Sequence, residues 1–146
     1  MAPGAGGTGP IHASAVAVEG RGLLILGASG SGKSSLALEL MALGADLVAD
    51  DRVAVTPDPG GGPPRLDPPP ALAGRIEARG IGILAAPWVS ARAVMAVDLD
   101  RIETARLPEP REIVIAGASL PCLSKVETPA FAAMLLSVLK GGRVAP

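Results

Sequence analysis

Aromatic residues are almost missing: the 146-residue chain has one Trp, one Phe and no Tyr. Trp88 and Phe131 cannot form a stacking platform for single-stranded nucleic acid. They also leave no pair of rings to clamp a purine, so the core must be aliphatic. Cysteine is limited to Cys122 and histidine to His12. These counts exclude an internal disulfide framework, a multi-Cys zinc site and a poly-His metal centre. Charge of one sign is not in excess, with 13 Lys plus Arg against 14 Asp plus Glu. Nucleic-acid binding by bulk phosphate neutralisation is therefore not expected. No apolar run reaches the roughly 20 residues of a membrane span. The start, MAPGAGGTGP, has neither a basic region nor an apolar stretch, so no signal peptide is expected and a cytoplasmic location is the default.

What is abundant is Gly (19) and Pro (15), and their placement is uneven. Residues 1–10 read as a flexible N-terminus, and 11–146 as one domain. Residues 57–70 hold seven prolines and three glycines and read as an exposed loop with no helix or central strand. Residues 14–27 read as strand, turn at Glu19–Gly22, strand. Leu23–Leu26 resembles a strand buried on both faces. Residues 33–44 read as a helix with Leu36, Leu40 and Leu43 on one face and Gly44 at its end. Residues 45–55 read as one strand. Residues 94–99 and 111–117 are further strand candidates. Residues 129–140 read as a helix with Phe131, Met134, Leu135 and Val138 on its apolar stripe. No internal repeat is present. This alternation predicts an α/β fold: a single domain with a mixed β-sheet and flanking helices.

Lysine is scarce, and one of the three lysines lies in the most informative segment. Gly27-Ala28-Ser29-Gly30-Ser31-Gly32-Lys33-Ser34 matches the P-loop pattern G-x-x-x-x-G-K-[ST] between an apolar strand and an amphipathic helix. The glycines let successive backbone N–H groups converge on phosphate oxygens, and the helix start directs its dipole at the same anion. Lys33 would reach the outer phosphates, and Ser34 would offer a hydroxyl to Mg²⁺. A nucleoside triphosphate and Mg²⁺ are thus the expected ligands. Downstream, Asp50 and Asp51 end an apolar run, where a carboxylate can reach the metal or accept a proton.

Three ordered blocks resemble the catalytic domain of the HPr kinase/phosphorylase family. His12, in Ile11-His12-Ala13-Ser14-Ala15-Val16, precedes the first loop glycine by 15 positions. Asp51 follows Ser34 by 17. Ile76-Glu77-Ala78-Arg79-Gly80-Ile81-Gly82-Ile83 is similar to the family's E-x-R-G-x-G signature. The blocks span residues 11–84, and a weaker match aligns Arg106 with a family arginine. The overall form is similar to the short alphaproteobacterial branch, without an N-terminal domain.

The resemblance implies a PEP carboxykinase-like fold and an ATP-dependent kinase for a serine of HPr, the phosphocarrier of the sugar phosphotransferase system. It also implies a homo-oligomer, a hexamer in the family. By resemblance, Asp51 is the base and His12 helps orient the reacting groups. Glu77 and Ser34 hold Mg²⁺, Asp50 supports the site, and Arg79 and Arg106 neutralise phosphoryl charge. Two departures stand out. Ser35 replaces a frequent Glu, and residues 123–129 lack the family's basic Pro-Val-Arg-Pro-Gly-Arg loop, so kinase activity is implied and phosphorylase activity is not. From the residues alone, a P-loop small-molecule kinase and a non-catalytic nucleotide sensor remain open readings.

Overall fold

A computed structural model describes residues 9–144. Most of the expected 1–10 N-terminal segment lies outside the described residues. The chain order is β1 (Ile11–His12), β2 (Ser14–Val18), β3 (Arg21–Leu26), α1 (Lys33–Ala42), β4 (Asp46–Ala49), β5 (Arg52–Thr56) and β6 (Arg65–Asp67). A short 3-10 turn at Pro70–Leu72 leads to β7 (Arg75–Ala78), β8 (Gly82–Ala85), β9 (Ala91–Ile102), β10 (Glu112–Ile115), β11 (Ala118–Lys125) and α2 (Phe131–Gly141).

The predicted α/β domain with a mixed sheet is what forms. Nine strands build one sheet, in the order β1-β5-β6-β9-β3-β2-β4, with β11 joining β9 and β10 pairing β11. β3 runs parallel to β9, and β2 antiparallel to both β3 and β4. β7 and β8 form a separate hairpin. The β2–β3 turn has positive φ at Glu19 (52°) and Gly20 (79°), the two-residue geometry that matches strand twist.

β3 occupies the centre, and Leu23, Leu24 and Ile25 are fully buried. Alternation along it divides the core. Leu23 and Ile25 pack with Leu36 and Leu40 of α1 and Leu135 and Leu139 of α2. Leu24 and Leu26 face the other way, against Val53, Leu66, Ile115 and Leu120 from strands that curl over the second face. Each such side chain contributes about 1.5–3 kcal/mol by leaving water. This places the C-terminal end of β3, and the loop that follows, between two packed layers.

Four expectations need correction. The 45–55 segment is two strands, because the chain turns at Asp50–Asp51 and Asp51 takes a left-handed φ of 68°. The 57–70 segment is not wholly loop. Its Arg65–Asp67 forms β6, bridging β5 and β9, with Leu66 fully buried; the prolines flank these three residues and leave their N–H groups intact. Leu43 is 47% exposed, so α1 buries Leu36, Ala37 and Leu40 instead. In α2 the buried set is Phe131, Ala132, Leu135, Leu136 and Leu139, rotated from the expected stripe, with Met134 at the surface. The 94–99 and 111–117 candidates correspond to parts of β9 and β10. Among the described residues, no helix is long and apolar enough to cross a membrane.

Candidate functional site

The Gly27–Ser34 segment links β3 to α1, the strand–loop–helix order its pattern requires. Gly27 has φ 151°, and a Cβ there would lie 2.5 Å from Ser31 Oγ, so only glycine fits. Gly32 is the N-cap of α1 with φ 100°. The first helical bond runs from Leu36 N–H to the Gly32 carbonyl, 3.0 Å. The N–H groups of Lys33, Ser34 and Ser35 precede it and have no helical acceptor. Lys33 folds across the loop and donates to the carbonyls of Gly27 (2.8 Å) and Ala28 (3.0 Å). Ser31 Oγ is buried without a hydrogen-bond partner among the described residues. Ala28, Ser29, Gly30 and Gly32 are exposed, and no atom lies within 4 Å of where a Cβ would sit on Gly30 or Gly32. The loop is thus accessible to solvent along Ala28–Gly30 and at Gly32.

Asp50 is the hub of the site. It is only 5% exposed. Its Oδ1 accepts from Ser34 Oγ at 2.7 Å and from Ser14 Oγ at 2.6 Å, and its Oδ2 accepts the Glu77 N–H at 3.0 Å. Three segments thereby converge: β2, the start of α1, and β7. No ion pair among the described residues involves Asp50; the two present are Arg65–Asp67 and Arg92–Asp58. A buried carboxylate with three donors and no cation keeps its charge uncompensated. Together with the Ser34 hydroxyl, it offers the hard oxygens that Mg²⁺ prefers, leaving room for water and phosphate as further ligands. The donor set therefore fits a magnesium–nucleotide complex.

Asp51 stands beside it but is exposed, turned outward by its left-handed backbone. His12 pairs with Arg52 across β1–β5, which sets it one register position from Asp51. Glu77 reaches the hub through its main chain, while its side chain lies on the exposed face of β7 between buried Ile76 and Ala78. Arg79 sits exposed at the turn after β7. Arg106 stands apart. It lines a cavity with Arg111 and Arg143, across Val126 and Phe131 from a second cavity of about 310 Å³ that borders Ser31, Gly32 and Ser35. No group of three or more His, Cys, Asp or Glu converges into a metal cluster among the described residues.

Two contributors escaped the sequence reading. Ser14 is fully buried in β2 and visible only through its bond to Asp50. Asp100, near the end of β9, accepts the Ala28 N–H with both carboxylate oxygens, at 3.1 and 2.9 Å. It anchors the base of the loop. The parallel pairing of β3 with β9, which sets Leu26 opposite Asp98, brings it there. An acidic residue at the end of the strand beside β3 was the available signal.

Residues 7–93 match the family described as HPr Serine kinase C-terminal domain. An HPr kinase/phosphorylase of Bordetella petrii is 42% identical over 84 residues, 53% of this chain and 25% of that protein. That of Caldanaerobacter subterraneus subsp. tengcongensis is 43% identical over 95 residues, 61% of this chain and 30% of the relative. The chain thus spans a quarter to a third of these relatives' length. The solved structure of the Hpr(Ser) kinase/phosphatase from Coxiella burnetii superposes with a TM-score of 0.75 at 21% identity, covering 92% of this chain and 96% of that one, and shares the fold. With the matched segment spanning more than half of its length and containing the loop, the Asp50 hub and the β7–β8 hairpin, the chain belongs to the HPr serine kinase C-terminal domain family.

Proposed function

We propose that this chain is an ATP- and Mg²⁺-dependent kinase that phosphorylates a serine of HPr or a similar phosphocarrier. The observation that carries the proposal is the buried Asp50, bonded to the half-buried Ser34, without a cation and directly preceding an exposed Asp51. The loop N–H groups and Lys33 bind and orient the phosphates once Lys33 leaves the Gly27 and Ala28 carbonyls. Ser34 and Asp50, with Glu77 alongside, would hold the metal, whose charge would offset that of the phosphates. Asp51 accepts the proton of the seryl hydroxyl as its oxygen bonds to the γ-phosphorus and the bond from that phosphorus to the ADP oxygen breaks. His12 orients the acceptor beside Asp51. Arg79 balances phosphoryl charge; Arg106 does so only if its segment moves toward the loop.

Incubation with γ-labelled ATP, Mg²⁺ and HPr from the same genome tests this. Label should appear on an HPr serine, and Asp51→Asn should lose transfer by about 10²–10⁴-fold while retaining nucleotide binding. ATP consumption without labelled protein would favour a small-molecule acceptor. Nucleotide binding without turnover would favour a sensor. The family resemblance also supports a homo-oligomer, which light scattering would measure.

A further inference from the structure

We propose that the chain carries a second ligand site, for a small carboxylate with an apolar body, in the cavity beneath residues 103–111. This inference is independent of the kinase reading. The stripe Phe131, Met134, Leu135 and Val138 has the spacing of a core-facing helix surface, yet all four residues line a cavity of about 330 Å³. Phe131 and Leu135 also belong to the core with Ala132, Leu136 and Leu139, whereas Met134 is 43% exposed. The cavity floor is thus the outer edge of the packed core, with Met134 added from the surface, and the cavity has the size that takes small molecules. Leu123 and Val126, at and just beyond the end of β11, complete the apolar floor.

The rim supplies the head-group chemistry. Arg106, Arg111 and Arg143 border the cavity, with Glu103 and Glu109 as the only acidic residues among its lining. Glu103 is already committed to its own turn, accepting the N–H groups of Thr104 (3.1 Å) and Ala105 (3.0 Å). Arg111 is fixed by donating one N–H to Ser124 Oγ at 3.1 Å, which leaves its other donors available. Guanidinium groups pair with carboxylates through two parallel hydrogen bonds. An apolar floor beneath a net cationic rim selects an amphipathic anion over a neutral apolar molecule or a bare ion.

The test is calorimetric titration of the chain with sodium octanoate, with 1-octanol as the neutral control. The expected result is saturable binding of one octanoate, at least tenfold tighter than octanol. Arg111→Ala/Arg143→Ala should weaken octanoate about tenfold without changing octanol. Met134→Trp, at a surface position of the cavity wall, should weaken both. Arg143→Ala alone, at an exposed position, carries the charge test if the double variant does not fold, as judged by its melting transition. Absence of saturable octanoate binding, equal affinity for octanol, or unchanged octanoate affinity in the folded arginine variant would each overturn the proposal.

Discussion

Two aspartates of this fold accept hydrogen bonds from serine hydroxyls, and they end in opposite situations. Asp50 is buried and takes Ser14, Ser34 and the Glu77 N–H, with no cation. Asp67 is half-buried and takes Ser90 together with the Arg65 guanidinium, 2.8 Å away. The second carboxylate is neutralised within the protein, and it ties β6 to the segment before β9. The first accepts three hydrogen bonds, two at Oδ1 and one at Oδ2, and has no cationic partner among the described residues. That difference is what favours Asp50 over Asp67 as the proposed cation site, since an unpaired buried charge is costly unless something compensates it.

The largest expected break in this comparison is Asp50→Ala. It removes the oxygen proposed to hold Mg²⁺ and leaves the buried Ser14 hydroxyl without that acceptor. Phosphoryl transfer should fall on the order of 10²–10³-fold, and unfolding in urea should show a loss of about 1–3 kcal/mol. Asp67→Ala should leave the transfer rate within about twofold. A magnesium titration sharpens the contrast. If Mg²⁺ and a non-hydrolysable ATP analogue bind at Asp50, saturation to tenfold above Kd should stabilise the protein by about 1.4 kcal/mol. The melting temperature should rise for the unmodified chain and for Asp67→Ala, and the Mg²⁺-dependent part of the rise should be lost for Asp50→Asn.

The same contrast shows what could be read from residues alone. β3 was legible because Leu23–Leu26 is apolar throughout and buried on both faces. The Gly27–Ser34 loop was legible because its pattern names each residue by its chemistry. Asp50 and Asp51 were visible as a pair, but their division into hub and exposed neighbour depends on a left-handed φ at Asp51 that no local pattern dictates. The Asp67 contact was hidden for another reason. β6 is three residues between proline clusters, and it forms because β5 and β9 supply partners on both sides. β11 was missed likewise: Pro121 lies inside it, in the stretch paired with β10, while Cys122–Lys125 pairs with β9. Tertiary pairing overrides composition in both strands. Ser14 lies in the block around His12 and Asp100 in no motif, and no local pattern ties either to the site; strand register brings both there.

A smaller effect is expected at the serines. Ser14→Ala deletes one donor to a charged acceptor, leaving Asp50 with Ser34 and the Glu77 N–H. A loss of about 1.5 kcal/mol in urea unfolding is expected, with nucleotide affinity weakened because Ser34 alone then holds Oδ1. Ser90→Ala should cost less, because Arg65 still neutralises Asp67. Equal losses in the two variants would erase the distinction between the hubs.

The smallest effect concerns pH. Burial pushes the Asp67 carboxyl up, but hydrogen bonds from Arg65 and Ser90, with the Arg65 charge, outweigh it and hold the group below its ordinary value of 3.8. A carboxyl with a lowered pKa in the folded chain binds fewer protons there than when unfolded. Its contribution is therefore complete above the unfolded value and is lost as pH falls through the folded one. The Arg65 side chain is 53% exposed, so solvent screening keeps the contribution small. Urea midpoints for the unmodified chain and Asp67→Asn should differ at pH 7 and converge near pH 2, and 1 M salt should narrow the gap at pH 7. A gap that persists unchanged at pH 2 would mean that Asp67 acts through packing and its serine bond, not through charge, and the contrast with Asp50 would then rest on burial alone.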